Sequence, residues 1–127
     1  MDETLAAHGL GADRLLVVSF SHGTMMSLHV GLRRGAPVAG VIGHSGMLAG
    51  PHLLDAEIRS RPPVLLTHGE ADPLLPVQFL PQAEAALEEV GVSVEAHVRP
   101  GLGHGIDEIC VHLGLAFARR VFGVAEA

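Results

Sequence analysis

Four short apolar runs punctuate the chain: LLVVSF (15–20), VAGVIGHS (38–45), PVLLTHG (63–69) and VEAHVRP (94–100). The first three are dense in Val, Leu and Ile and show little strict alternation, the pattern of strands buried on both faces of a parallel sheet. The fourth alternates, with Val94, Ala96 and Val98 against Glu95, His97 and Arg99, which predicts an edge strand. Helical spacing fills the gaps. Residues 23–34 carry Met25, Met26, Leu28, Val30 and Leu32, apolar nearly all round, and predict a buried helix stopped by Arg33-Arg34-Gly35. Residues 52–60 fit one short helix. Residues 81–90 put Leu80, Ala83, Leu87 and Val90 on one stripe between Pro81 and Gly91, proline first and glycine last. The final helix is the clearest: Ile106, Ile109, Cys110, Leu113, Phe117 and Val121 keep the period. Asp107 and Glu108 open it and Arg119 and Arg120 close it, as the helix dipole favours. Strands alternating with helices predict an α/β fold with a four-stranded, mostly parallel sheet and right-handed crossovers.

Composition narrows the class. The 127 residues suit one domain, 1–127, with a real core, and 48% apolar residues exclude a disordered chain. The net charge of −6, with eight Arg and no Lys, argues against a nucleic-acid partner. The single cysteine, Cys110, excludes an internal disulfide and sits on an apolar helix face, as a structural thiol does. No apolar run reaches the length of a membrane span, and MDETLAAHGL lacks a signal-peptide pattern, so a soluble cytoplasmic protein is expected.

Functional residues of open α/β sheets gather beyond the carboxyl ends of the strands. In chain order those positions hold Ser21-His22-Gly23, Ser45-Gly46, His68-Gly69-Glu70-Ala71-Asp72 and Gly101-Leu102-Gly103-His104-Gly105. A serine, an aspartate and a histidine, each after a different strand, suit nucleophilic acyl transfer. A serine hydroxyl needs a base, neutral imidazole serves near pH 7, and a carboxylate fixes the imidazole tautomer. Two serines compete. A strand-to-helix elbow needs small residues two before and two after the nucleophile. Around Ser21 these are Ser19 and Gly23, whereas around Ser45 they are Gly43 and Met47, and Met47 is too large. Ser21 is the stronger candidate, and Ser19 in the first small position is expected to be tolerated with some crowding. Asp72, which precedes a proline, also suits a turn, while His104 between two glycines points to function. His68 is expected to make turn hydrogen bonds. His22 is either pocket-lining or on the surface. His44 is expected near the site, and Met47 or Leu48 at the border of an acyl pocket. The nine histidines include no H-x-x-x-H or H-E-x-x-H spacing, so no metal and no cofactor are expected.

SFSHGTMM, SGMLAG, RPPVLLTHGEADPLLP and VRPGLGHGI together resemble the carboxylesterase/phospholipase family of alpha/beta-hydrolases, which includes the acyl-protein thioesterases. The usual elbow is G-x-S-x-G; here the first glycine is Ser19. By motif, the resemblance implies Ser21 as nucleophile, Asp72 as the acid member, His104 as base, and hydrolysis of small carboxylic esters. The backbone N–H of His22 would supply one oxyanion donor. The resemblance covers the C-terminal half of the family domain, a truncated alpha/beta-hydrolase fold without the N-terminal strands and the glycine-rich loop that carries the other donor. It therefore implies an open edge along 15–20, covered in a homo-oligomer. The alternative is a catalytically silent truncated hydrolase that serves as a binding or assembly module.

Overall fold

The computed structural model describes residues 11, 14–48, 54 and 56–123. Seven elements follow one another: β1 (Leu16–Phe20), α1 (His22–Arg33), β2 (Gly40–His44), β3 (Val64–Gly69), α2 (Phe79–Glu89), β4 (Val94–Arg99) and α3 (Glu108–Phe122). The strands form one sheet in the order β1-β2-β3-β4, and every neighbouring pair is parallel. Leu16 lies opposite Gly40, Val41 opposite Val64, and Val64 opposite Val94, so the carboxyl ends align at one rim.

Apolar side chains on the two sheet faces feed two cores. Val41, Val64 and Leu66 pack with Leu28 and Leu32 of α1 and Leu80 and Leu87 of α2. On the other face Ile42 and Leu65 pack with Phe117 of α3, joined by Leu16 and Leu113. Every residue of β2 and β3 is buried, as continuous apolar runs require.

Three expectations need correction. Helix α1 is not buried all round: Met26 is 51% and Val30 41% exposed, and only Thr24, Leu28, Gly31 and Leu32 are buried. Among the described residues nothing covers its outer side. Strand β4 is an edge, but its burial does not alternate. Glu95 and His97 are half-buried, because Arg120 of α3 and His97 both bond the Glu95 carboxylate, while Val98 is 44% exposed. Helix α2 begins two residues before Pro81, which then occupies the first turn, where its missing N–H costs nothing. The expected helix at 52–60 falls partly outside the described residues; Ile58 N–H bonds Leu54 O at 2.8 Å, one helical turn.

Helix α3 keeps its predicted ends. The Asp107 carboxylate accepts the Cys110 N–H at 2.8 Å, and the left-handed Gly123 (φ 70°) closes the last turn. Cys110 is fully buried, and burial pushes its thiol up. Among the described residues no helix is long and apolar enough to cross a membrane.

Candidate active site

Strand β1 runs directly into Ser21, whose backbone has φ 57° and ψ −120° before α1 begins at His22. A non-glycine residue held there stores backbone strain of roughly 1–3 kcal/mol, so its surroundings must enforce it. They do. Ser21 N–H donates to His44 O at 2.8 Å, Thr24 N–H donates to Ser21 O at 2.9 Å, and the Thr24 hydroxyl donates to His44 O at 3.0 Å. The Ser19 hydroxyl is accommodated by donating to Ile42 O at 3.1 Å. A methyl built on Gly23 would lie 3.6 Å from Ser19 Cβ, so the two small positions do face each other.

The elbow aims the Ser21 hydroxyl at the loop between β4 and α3. Ser21 Oγ is 2.8 Å from His104 Nε2, and His104 Nδ1 is 2.7 Å from Asp72 Oδ2. The carboxylate fixes the tautomer: Nδ1–H donates to Asp72 and leaves Nε2 to accept the serine proton. Asp72 sits in the turn after β3, where its Oδ1 accepts Leu74 N–H at 2.8 Å and Leu75 N–H at 2.9 Å. Burial pushes the Asp72 carboxyl up, but the Leu75 N–H, His104 and the Leu74 N–H together hold it below the ordinary carboxylate value. The Phe20 ring packs 5.0 Å from the His104 ring and closes one side of the imidazole.

Several contacts that sequence reasoning missed hold the His104 loop. Ala71 N–H donates to Leu102 O at 2.9 Å, and Arg99 Nε donates to Asp107 Oδ2 at 2.9 Å. Ser45, the rejected nucleophile, is fully buried with φ 52°, and its hydroxyl donates to Gly105 O at 3.0 Å. At Gly69 a Cβ would lie 2.2 Å from both Leu102 O and Gly103 O, so only glycine lets the loop settle against the end of β3. The run His-Gly-Glu-Ala-Asp draws attention to Gly69, but nothing local marks its partner 34 residues on.

The other candidates lie at different distances from this cluster. His22 is exposed, and its N–H leads the first turn of α1, where the helix offers it no acceptor. His44 is buried, with Nδ1 2.5 Å from Thr67 Oγ1; burial lowers its pKa, and its carbonyl pins the elbow. His68 Nε2 donates to Leu75 O at 2.8 Å, a turn contact. Met47 and Leu48 border a cavity of about 120 Å³ with Phe79, Gln82 and Ala83, and Ser21, Asp72 and His104 are not in its lining. A larger open groove of about 420 Å³ runs between β1 and α3, lined by Val18, Phe20, Ile106, Val111 and Leu115 among others. Among the described residues no group of three or more His, Cys, Asp or Glu is arranged to hold a metal ion.

The phospholipase/carboxylesterase family model matches residues 2–117. The chain belongs to that family. It is similar to acyl-protein thioesterase 1 of Neurospora crassa, 33% identical over 102 residues that make up 76% of this chain and 41% of the relative. It is also similar to lysophospholipase-like protein 1 of Mus musculus, 30% identical over 79% of this chain and 44% of that one. Among solved structures, esterase PE8 superposes with a TM-score of 0.92 at 38% identity, over 94% of this chain and 56% of PE8. SOBER1 of Arabidopsis thaliana, at 22% identity and a TM-score of 0.87, shares the fold. The chain thus spans about half the length of the family members it matches. Family membership and these matches place the chain on an alpha/beta-hydrolase sheet.

Proposed function

We propose that this chain is a serine carboxylesterase that hydrolyses small carboxylic esters through an acyl-enzyme. One observation carries the reading: the unbroken hydrogen-bond path from the strained Ser21 through His104 to Asp72. Ser21 Oγ attacks the ester carbonyl carbon as His104 Nε2 takes its proton. The Asp72 carboxylate stabilises the imidazolium. Collapse of the tetrahedral intermediate breaks the bond to the alcohol, which leaves with the proton from His104. Water then gives a proton to His104 and attacks the acyl-enzyme, releasing the acid and restoring Ser21. The same steps cleave a thioester, the bond named in the relatives called acyl-protein thioesterases. The His22 N–H, at the positive end of α1, is the oxyanion donor within the described residues. Losing one oxyanion donor costs on the order of 10²–10³ in rate, so the rate depends on a second donor beside the His22 N–H.

Ser21→Ala is expected to abolish hydrolysis of p-nitrophenyl acetate and butyrate and labelling by a fluorophosphonate probe. Hydrolysis that survives the substitution overturns the assignment. A wild-type chain that folds yet never takes the probe supports the alternative, a silent binding or assembly module.

An assembly belongs to the same proposal. Among the described residues β1 ends the sheet, with Val18 61% and Phe20 40% exposed. A second copy pairing there would cover apolar surface and open backbone groups together. Light scattering that gives a monomer mass at micromolar concentration refutes this part.

A further inference from the structure

His68, the penultimate residue of β3, is 1% exposed and lies beside the acid member. Its Nε2 is 2.8 Å from Leu75 O and 3.5 Å from Asp72 Oδ2, and the side chains of His68 and Asp72 are both fully enclosed. Both neighbours of Nε2 are acceptors, so Nε2 carries the proton. Nδ1 is then a buried lone pair with no protein partner among the described residues. Burying such an atom disfavours folding, and leucine or phenylalanine would fill the volume without it. The value of an imidazole here therefore lies in its Nε2–H.

We propose that His68 is a positioning residue for Asp72, its Nε2–H bridging the Leu75 carbonyl and Asp72 Oδ2. The turn from 72 to 75 is then held at both ends of Leu75: its N–H donates to Asp72 Oδ1, and its C=O accepts from His68. The carboxylate cannot rotate without losing one of these contacts, and Oδ2 stays 2.7 Å from His104 Nδ1. Among the described residues, His68 and His104 are the titratable groups in contact with Asp72, and Leu74 and Leu75 add backbone N–H groups. The catalytic consequence rests on the esterase reading; the geometric claim does not.

The test compares His68→Leu, which keeps bulk and removes the donor, with His68→Gln, which returns an N–H near the Nε2 position. For p-nitrophenyl butyrate, kcat should fall on the order of 10-fold in H68L at unchanged KM and recover in H68Q. In parallel, NMR should show the His104 Nδ1–H resonance weakened in H68L and restored in H68Q. Wild-type kcat and an unchanged His104 Nδ1–H resonance in H68L overturn the proposal, as does equal loss in the two variants. If H68L fails to fold by circular dichroism, H68Q is compared with His68→Asn, whose shorter side chain cannot reach; equal behaviour of that pair also overturns it. A wild-type chain without esterase activity defeats the esterase reading alone, because the His104 Nδ1–H resonance still decides the role of His68.

Discussion

Gly69→Ala probes how tightly the site is built. An added Cβ would sit 2.2 Å from Leu102 O and Gly103 O and 2.8 Å from Leu102 C. These are backbone atoms, so no side chain can swing away. Relief from 2.2 Å to 3.0 Å, the shortest separation that real Cβ atoms adopt, needs a movement of about 0.8 Å. Strand β3 is buried and paired on both sides, so the 102–104 segment has to move instead. His104 rides on that segment with contacts of 2.8 Å to Ser21 and 2.7 Å to Asp72. A displacement of this size stretches either contact beyond hydrogen-bond range, and misplacement near 1 Å costs on the order of 10²-fold in rate. Overpacking adds about 1–3 kcal/mol of destabilisation. The assay is the rate constant for fluorophosphonate labelling, followed by intact mass, with urea denaturation on the same samples. Labelling of G69A at the wild-type rate, with a native circular dichroism spectrum, would refute the claim that this close approach positions the base.

Three further outcomes are expected. Ser45→Ala removes the hydroxyl that holds Gly105 O, keeps the unfavourable φ of 52°, and should lower unfolding free energy by about 1–2 kcal/mol in urea; Ser45→Gly, which tolerates that φ, should lose less. Asp107 is held down to about 2, chiefly by the Cys110 N–H and further by Arg99, so its folded value lies below its unfolded one. The stability advantage of wild type over Asp107→Asn should then be complete above about pH 4 and vanish as pH falls through about 2, as read from urea midpoints across pH. Asp72 is also held below its ordinary value, so Asp72→Asn should remove a stabilising contribution present above about pH 4 and lost at lower pH, and should cut esterase kcat by about 10⁴-fold in stopped or continuous assays.

The apolar runs at 15–20, 38–45, 63–69 and 94–100 predict strands whose ends lie within two residues of the observed ones; only the second and third are covered on both faces, while Val18 and Phe20 leave the first half-exposed despite the same apolar composition. The second strand ends at His44 because Ser45 turns to positive φ, which no local pattern at Ser45-Gly46 announces. The size of the flanking residues favours Ser21 over Ser45 as the elbow, and it is Ser21 that precedes α1 and meets His104. What Ser45 does was not legible: its hydroxyl reaches Gly105, 60 residues away, and only the packed sheet brings the two together. Met26 and Val30 misled for the opposite reason. Apolar residues on every side of α1 suggest burial, yet an exposed apolar side chain carries no mark in the sequence of what covers it.

Ser21 and His104 are separated by 83 residues and meet only across the carboxyl rim of the sheet. Between them every strand pairing must be in register, since a slip of one residue anywhere reverses which way a rim residue faces. The short distance from Ser21 to His104 is therefore a readout of the whole sheet. Probe labelling, followed in time after dilution from denaturant, would report when the last strand finds its place, and a folding clock of that kind needs no added fluorophore.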